Sequence, residues 1–352
     1  MDRAQSNASV SWNPMQRKKG IPGSTVKIIA VTAMLIDHVA AALLTRMITV
    51  GGYYHAMVSA ESYRSWMAEH GRLYALMTVM RSVGRLGFPI FCFLLVEGFQ
   101  KTRSVKKYAF RLGLFALISE VPFDLAFNGK VWYPGYQNVY FTLLAGILIL
   151  WAFEIISRLK PAKGIRCLAI AGGILLPALY GTFAVGEFMS GFVKAFLREF
   201  MGKSVGRYES DLLVSAGIYL VLAGIMLKAW LTFRKILGGD KAWRICGDLA
   251  ILAVAMAGAD LLCTDYGGMG VLTIAVMYAL RNNKVLSMTG GCVTLTVMSL
   301  SEIPAFLTLI PIALYNGERG IKMKYFFYVF YPLHLFLLWL ICWAMGMGWI
   351  AV

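Results

Sequence analysis

Charged residues are scarce in this chain of 352 residues, and acidic residues are scarcer than basic ones. Charged side chains make up 15% of the sequence, whereas an ordinary soluble domain has about 25%. Hydrophobic residues make up 59%, and most of the long apolar runs lack the polar face that a helix in water needs. This composition excludes an ordinary soluble globule and predicts a protein of the lipid bilayer.

Cysteine and histidine are also sparse. Six cysteines occur, most of them in apolar stretches, and none forms a CxxC pair. This pattern excludes a disulfide framework and supplies no ligand set for a metal, so we expect no metal site. Four histidines occur, and two of them, His38 and His334, lie inside apolar runs. Polar groups at such positions are costly, which makes these two residues candidates for chemistry within the membrane.

The net charge of +16 would indicate nucleic-acid binding if the chain were soluble. Here the Lys and Arg residues lie in short connections between apolar runs, and no basic patch with interleaved aromatic residues occurs. We therefore exclude nucleic acid as a partner. The pattern is typical of the positive-inside rule, with some attraction to anionic lipid.

Eleven apolar segments predict membrane-spanning helices. They fall at about 27–47, 82–100, 107–127, 138–157, 166–186, 210–228, 245–263, 267–281, 285–301, 304–316 and 326–348. A span requires about 20 residues, so the three short segments between 267 and 316 leave the count at ten or eleven. The sequence predicts an all-α, polytopic transmembrane helix bundle, with a polar tail over residues 1–26 and one membrane domain over 27–352.

Basic residues alternate between the connections. Every other connection is basic, beginning with the residues before the first span, whereas the intervening ones lack basic residues or balance them with acids. The positive-inside rule then places the N-terminus in the cytoplasm and the C-terminus outside. Because Asp37 and His38 are atypical of a signal peptide, we expect the first helix to stay attached.

The first predicted helix carries Lys27 near its cytoplasmic end and the pair Asp37-His38 deeper in the bilayer. At 1.5 Å per residue, about 16 Å separates Lys27 from His38. Imidazole is the natural base near neutral pH, and a cation at the cytoplasmic mouth suits a donor that carries phosphates. A second histidine, His334, follows Tyr331-Pro332 in the last helix. Either histidine could instead be a structural contact between helices.

Further polar candidates lie on other predicted helices. Arg81 and Arg85 open the second helix one turn apart, and a guanidinium in the outer leaflet requires an anion. The remaining candidates are Glu97 near the inner side, and Glu120, Asp124, Asn138 and Asp265 near the outer side. Glu97 is spaced for an i,i+4 pair with Lys101, and the carboxylates Glu120 and Asp124 could both pair with Arg85. The tetrapeptide Ser119-Glu120-Val121-Pro122 recurs as Ser301-Glu302-Ile303-Pro304, a match short enough to arise by chance.

This asymmetry fits two classes of protein. Bases and a cation lie along a path from the cytoplasm, whereas carboxylates, an arginine and amides lie toward the outside. A pore or transporter could show this pattern. An enzyme that takes a donor from one side and an acceptor from the other could show it as well.

Several motifs of the chain resemble the TraX family. They follow the family order from about residue 25 to 340 and comprise Lys27 to His38, Gly84 to Phe91, Leu95 to Phe99 with Thr102-Arg103, Leu117 to Phe127, Asn138 to Leu143, Asp265 to Gly267 with Gly270, and Phe326 to Tyr328 with Tyr331 to His334. The resemblance implies a bacterial integral membrane acetyltransferase, since the founding member acetylates the N-terminus of conjugative pilin. The family is similar to the acyltransferase-3 superfamily, whose first helix carries an Arg/Lys-x10-His motif that Lys27 and His38 match.

The resemblance also implies roles for the candidates. Acetyl-CoA would enter from the cytoplasm as the acyl donor, with its phosphates near Lys27. His38, beside Asp37, would remove a proton from the acceptor, and His334 would either assist that transfer or orient the thioester. Arg85 would either stabilise developing negative charge and help to hold the donor, or be anchored by Asp124.

The acceptor implied by the resemblance is an amine or a hydroxyl group. A pilin-like peptide N-terminus and a surface glycan both remain open as its source, and the expected location is the bacterial inner membrane. The alternative is a non-enzymatic transporter or pilus-assembly component, which would not use acetyl-CoA.

Overall fold

The computed structural model describes residues 19–201, 207–321 and 324–352, and these segments are largely helical. The first half contains α1 (Gly23–His38), a π-helical turn (Val39–Leu44), α2 (Thr45–Val50), α3 (Tyr53–Ala56), α4 (Ala60–Gly84), α5 (Gly87–Lys101), α6 (Val105–Asn128) and α7 (Val139–Arg158). The second half contains α8 (Lys163–Met201), α9 (Arg207–Leu237), α10 (Gly239–Leu261), α11 (Gly267–Ala279), α12 (Lys284–Met298), a 3-10 helix (Leu300–Thr308), α13 (Leu309–Leu314) and α14 (Lys324–Ala344). The predicted polar tail lies outside the described residues as far as residue 18.

Seven helical segments of the described chain are long and apolar enough to cross a membrane. They are Gly23–Val50, Ala60–Lys101, Val139–Arg158, Lys163–Gly186, Leu212–Leu237, Gly239–Leu261 and Phe326–Ala344. Helix α6 was predicted as a span as well, but its 24 residues include five charged side chains and it does not join this group. The protein is therefore an all-α, polytopic membrane bundle, as the sequence predicts.

The three short apolar segments form separate helices. They are Gly267–Ala279, Lys284–Met298 and the combined 3-10 and α-helical segment Leu300–Leu314. The two α-helices, of 13 and 15 residues, reach about 20 and 22 Å, and the third segment, which is partly 3-10 helical, reaches about 27 Å. All three are shorter than the roughly 30 Å of a hydrocarbon core. The connection predicted before residue 82 also differs, because it contains the 25-residue helix α4.

Helices α1 and α14 contact each other within the bundle. Helix α1 packs against α4, α5 and α14, and α6 packs against α7 and α14. Helices α8, α9 and α10 pack on one another, and α10 continues the contacts toward α7 and α11. The main hydrophobic core takes buried residues from α1, α5, α6, α7, α10, α11, α12 and α14. This packing brings residues from the two ends of the sequence together.

A glycine permits the close approach of α1 and α4. A Cβ atom added at Gly84 would lie 2.1 Å from Oδ1 and 2.3 Å from Cβ of Asp37. A side chain at that position would therefore separate the two helices, as at the small-residue contacts of other membrane bundles. The absence of a side chain at Gly84 lets Asp37 turn toward the end of α4.

The helices that carry His38 and His334 are irregular beside these residues. Helix α1 ends at His38, and the π-helical turn Val39–Leu44 follows directly. Helix α14 contains Pro332, two residues before His334. Such π-helical turns are frequent at functional sites, and a proline inside a membrane helix frees backbone groups for other partners.

Candidate functional site

A first cavity, the basic cavity, lies at the end of the bundle where α1 begins and α5 ends. Its volume is about 430 Å³, and four cationic residues line it: Lys27, Lys101, Arg111 and Arg319. Aromatic residues form much of its wall, namely Phe91, Tyr108, Tyr140, Tyr315, Phe327, Tyr328 and Tyr331. A cationic mouth above an apolar and aromatic wall suits an anionic ligand with a less polar arm.

Lys27 and Glu97 have different partners in the basic cavity. The Nζ atom of Lys27 lies 5.6 Å from the ring centroid of Phe327, and Lys27 forms no ion pair within the described residues. Glu97 accepts hydrogen bonds from Lys101 Nζ at 2.8 Å and from the Tyr315 hydroxyl at 2.6 Å. The predicted i,i+4 pair of Glu97 and Lys101 is thus confirmed, and Lys27 is left available to a ligand.

A second cavity, the histidine cavity, lies toward the opposite end, where α1, α4 and α6 end. Its volume is about 500 Å³. Its polar and aromatic lining consists of Asp37, His38, Thr45, Arg81, Arg85, Phe123, Phe127, Asn128, Tyr136, Asp265 and Tyr266. The structure therefore brings four of the predicted site residues, Asp37, His38, Arg85 and Asp265, to one cavity.

His38 and His334 form a hydrogen-bonded pair. The Nδ1 atom of His38 lies 2.7 Å from Nε2 of His334, whose Nδ1 lies 2.7 Å from the backbone oxygen of Phe330. A carbonyl oxygen only accepts, so Nδ1 of a neutral His334 carries its proton and Nε2 accepts from Nδ1–H of His38. This assignment follows from the hydrogen-bond partners. It leaves Nε2 of His38 unprotonated, with no hydrogen-bond partner in the described part of the chain.

Aromatic rings fix the orientation of His38. Phe127 meets the imidazole edge-on with ring centroids 5.4 Å apart, and Tyr331 does so at 5.9 Å. Because His38 also donates to His334, its ring has little freedom to rotate. A neutral imidazole that is held in this way, with one free nitrogen at the edge of a cavity, has the geometry of a general base.

Asp37 pairs with an arginine from α4. Arg81 Nη1 donates to Asp37 Oδ2 at 2.6 Å. The other carboxyl oxygen, Oδ1, is buried and has no hydrogen-bond partner among the described residues. The structure thus places Asp37 beside His38 in the chain, but its carboxylate contacts Arg81 and not the imidazole.

Arg85 pairs with Glu302, which was not a predicted site residue. Arg85 Nη1 lies 2.7 Å from Glu302 Oε1, and the side chain of Glu302 is only 1% exposed. The hypothesis that Asp124 anchors Arg85 is therefore wrong. The 3-10 helix Leu300–Thr308 packs against α4 and α5 and so supplies the counter-ion from a distant part of the sequence.

Asp265 lies in the turn between α10 and α11, outside the helices. The Tyr136 hydroxyl donates to its Oδ1 at 2.8 Å, and the Thr142 hydroxyl donates to its backbone oxygen. Burial raises the pKa of Asp265 to about 6, although the hydrogen bond from Tyr136 acts in the opposite direction. Asp265 therefore adds a third carboxyl group, after Asp37 and Glu302, to the region around the two arginines.

Glu120, Asp124 and Asn138 are brought together outside the lining of the histidine cavity. Asn138 Nδ2 donates to Glu120 Oε2 and, at 2.8 Å, to the backbone oxygen of Ala116. Asp124 accepts from the backbone nitrogen of Tyr133 at 2.7 Å. These contacts tie the 129–138 connection to α6, so in the structure the three residues support the wall of the cavity.

Arg46 is a buried residue that the sequence reasoning missed. It is 0% exposed, and its guanidinium donates to four backbone oxygens. These belong to Ala42 at 2.8 Å, Ala126 at 2.5 Å, Leu125 at 3.2 Å and Ile350 at 2.8 Å. Arg46 was detectable as a basic residue at the end of the first apolar run. The missed Glu302 was detectable through the recurrence of Ser-Glu-x-Pro.

The described residues contain no group of three or more His, Cys, Asp or Glu side chains arranged to hold a metal ion. The site can therefore be described by its ion pairs, its histidine pair and its two cavities. An imidazole with a free nitrogen, between a cationic cavity and one lined by both carboxyl and guanidinium groups, can move a proton during a transfer between ligands in those cavities.

Comparison with known proteins identifies the family to which the chain belongs. The model of the family described as TraX protein matches residues 22–196 and 212–342. The probable fimbrial assembly protein FimC, serogroup H1, of Dichelobacter nodosus is 25% identical over 336 residues, which cover 92% of this chain and 97% of that protein. No solved structure matches the chain significantly. Because the family model covers most of its length, this chain belongs to the TraX family.

Proposed function

We propose that this protein is a membrane acetyltransferase that moves the acetyl group of acetyl-CoA to an amine. The donor occupies the basic cavity and the acceptor occupies the histidine cavity. The observation that carries the proposal is the free Nε2 of His38, which is held by His334 between cavities at opposite ends of the helices.

The basic cavity supports the choice of donor. Four cations line it, and Lys27 has no carboxylate partner within the described residues. Coenzyme A carries its phosphates at one end and its thioester at the end of a long, weakly charged arm. With the phosphates near Lys27, that arm has about 16 Å of helix to follow before it reaches His38. An extended pantetheine arm is long enough for this distance.

The proposed step is a direct transfer. The acceptor enters as an ammonium ion and becomes a primary amine by giving one proton to a carboxylate of the histidine cavity. Nε2 of His38 then takes a second proton, from the attacking nitrogen, as the C–N bond forms at the thioester carbonyl. The C–S bond then breaks, and the proton on His38 passes to the departing sulfur of coenzyme A. Throughout, Nδ1–H of His38 stays hydrogen-bonded to His334, which keeps the reactive nitrogen directed away from α14.

The charges around the histidine cavity favour an amine over a hydroxyl acceptor. Asp37, Asp265 and Glu302 contribute three carboxyl groups, whereas Arg81 and Arg85 contribute two guanidinium groups. When all five ionise, one negative charge is left over. An acceptor that arrives as an ammonium ion would balance it, whereas a glycan hydroxyl would not.

The relative from Dichelobacter nodosus, named as a probable fimbrial assembly protein, supports a pilin-like peptide as the acceptor. The same name favours a second candidate function, namely that of a pilus-assembly component without catalytic activity. The two candidates differ in one respect, since only the enzyme consumes acetyl-CoA.

The experiment uses the full chain in lipid nanodiscs with radiolabelled acetyl-CoA and peptides whose N-terminus is either free or blocked. We expect label on the free peptide alone. His38→Ala should lower turnover by about 10²- to 10⁴-fold, the usual contribution of a general base. His55→Ala is the matched control, since His55 is an exposed histidine in α3. Unchanged turnover in His38→Ala would refute the assignment, and an unlabelled free peptide would favour the assembly component.

A further inference from the structure

The two cavities are separated by a thin wall. They share none of their lining residues. On α1 the basic cavity reaches Met34, and the histidine cavity begins at Asp37 and His38. On α14 the basic cavity reaches Tyr331, and His334 lies three residues further on. About one helical turn, or roughly 5.4 Å, therefore separates the basic cavity from the histidine pair on both helices.

Tyr331 is the large side chain in this wall, and it is held from several sides. It is 3% exposed. Its ring meets His38 at 5.9 Å, His334 at 5.7 Å and Tyr140 at 4.9 Å between centroids, each time edge-on. A ring that is packed in this way resists displacement, because well-packed interiors tolerate little added volume. The wall is therefore a fixed constriction.

We propose that Tyr331, together with Met34, determines which acyl group can be transferred. This inference rests on the proposed function. The pantetheine arm lies in the basic cavity, while the thioester group at its end has to reach the acceptor and Nε2 of His38 through the wall. When a two-carbon acyl group passes this constriction, the wall has to accommodate only one methyl group beside the carbonyl. Every additional methylene has to occupy space that the Tyr331 ring and the Met34 side chain fill.

The test compares acyl-CoA donors of two, four and six carbons with a peptide that has a free N-terminus. Tyr331→Ala should raise the ratio of the butyryl to the acetyl rate by at least about 10-fold, because single methylenes in tight apolar pockets are discriminated by about that factor or more. Tyr331→Phe keeps the ring and should keep the wild-type ratio within about twofold. Met34→Ala removes side-chain volume from the wall on the α1 side and should also raise the butyryl-to-acetyl ratio. This variant keeps the proposal testable if Tyr331→Ala does not fold.

Tyr328→Ala is the matched control. Tyr328 lies one turn earlier on α14, lines the basic cavity and stacks on Phe115 at 4.8 Å, but it is not part of the wall between the two cavities. Its replacement should leave the butyryl-to-acetyl ratio unchanged. Acetyl transfer with the wild-type ratio in both Tyr331→Ala and Met34→Ala would overturn this proposal and leave the proposed function intact. A wild-type protein that transfers no acetyl group would overturn both.

Discussion

The buried ion pair between Arg85 and Glu302 allows a sharp test of the structure that does not depend on the reaction. Its atoms are 2.7 Å apart, and the side chains are 23% and 1% exposed. Glu302→Gln removes the counter-charge and leaves a mostly buried guanidinium. Breaking a buried pair from one side typically costs about 3 to 5 kcal/mol. Because Arg85 keeps some exposure, we expect a loss near 3 kcal/mol in the free energy of unfolding.

The double variant Arg85→Gln/Glu302→Gln removes both charges and should be more stable than Glu302→Gln alone. We expect a coupling energy of about 2 to 3 kcal/mol between the two positions. Asp124→Asn is the comparison, since Asp124 is held by the backbone nitrogen of Tyr133 and by Asn128. It should cost about 1 kcal/mol and show no coupling with Arg85→Gln.

The measurement is reversible unfolding in mixed micelles as the fraction of denaturing detergent increases, followed by far-ultraviolet circular dichroism. The three single variants and the two double variants, Arg85→Gln/Glu302→Gln and Arg85→Gln/Asp124→Asn, are measured beside the wild type under one lipid and salt condition. Should Asp124→Asn couple to Arg85→Gln as strongly as Glu302→Gln does, then Arg85 pairs with Asp124. The arrangement of the 3-10 helix against α4 would then be incorrect.

Two further predictions concern other cations. Arg46→Met should lower the free energy of unfolding by at least about 2 kcal/mol, because four backbone oxygens lose a charged donor. It should also expose the segment near Ile350 to proteolysis, because one of the four oxygens belongs to that residue. An unchanged cleavage pattern would contradict this prediction. Lys27→Ala should raise KM for acetyl-CoA about 10-fold and change kcat little, since one charged contact to phosphate is lost. Lys27→Arg should retain most of the affinity, and a fall in kcat alone would show that Lys27 does not hold the donor.

Local features of the fold could be predicted from the sequence. Apolar run length predicts spanning helices because the bilayer leaves the backbone few alternatives, and the i,i+4 spacing of Glu97 and Lys101 predicts their pair. Helix α4 was not predicted, because its amino-terminal half is polar and lies outside the apolar run that begins at about residue 82. Hydropathy identifies segments whose residues tolerate lipid. It does not identify helices whose residues have no need to tolerate lipid.

The partners of buried charges could not be predicted in the same way. Arg85 had to find an anion, and the sequence offered Glu120 and Asp124 as well as Glu302. Which of them it meets depends on how the 3-10 helix packs on α4 and α5, and local spacing contains no information about that packing. The recurrence of Ser-Glu-x-Pro did mark Glu302, but a match of four residues could not carry the assignment by itself.

The histidine pair shows why this long-range information matters for the chemistry. His38 and His334 come from opposite ends of the sequence, and for each of them by itself a structural role was an alternative to the catalytic one. Their contact and the Phe330 carbonyl together determine which nitrogen of His38 is free. A neutral orienting partner also adds no charge to a region that already holds three carboxyl groups and two guanidinium groups. A carboxylate in place of His334 would orient the imidazole equally well, but it would add a further uncompensated charge within the bilayer, where such charges are expensive. His334 thus orients the His38 imidazole without adding a charge to the bilayer. This explains why the hydrogen-bond partner of His38 is a second histidine and not an acid.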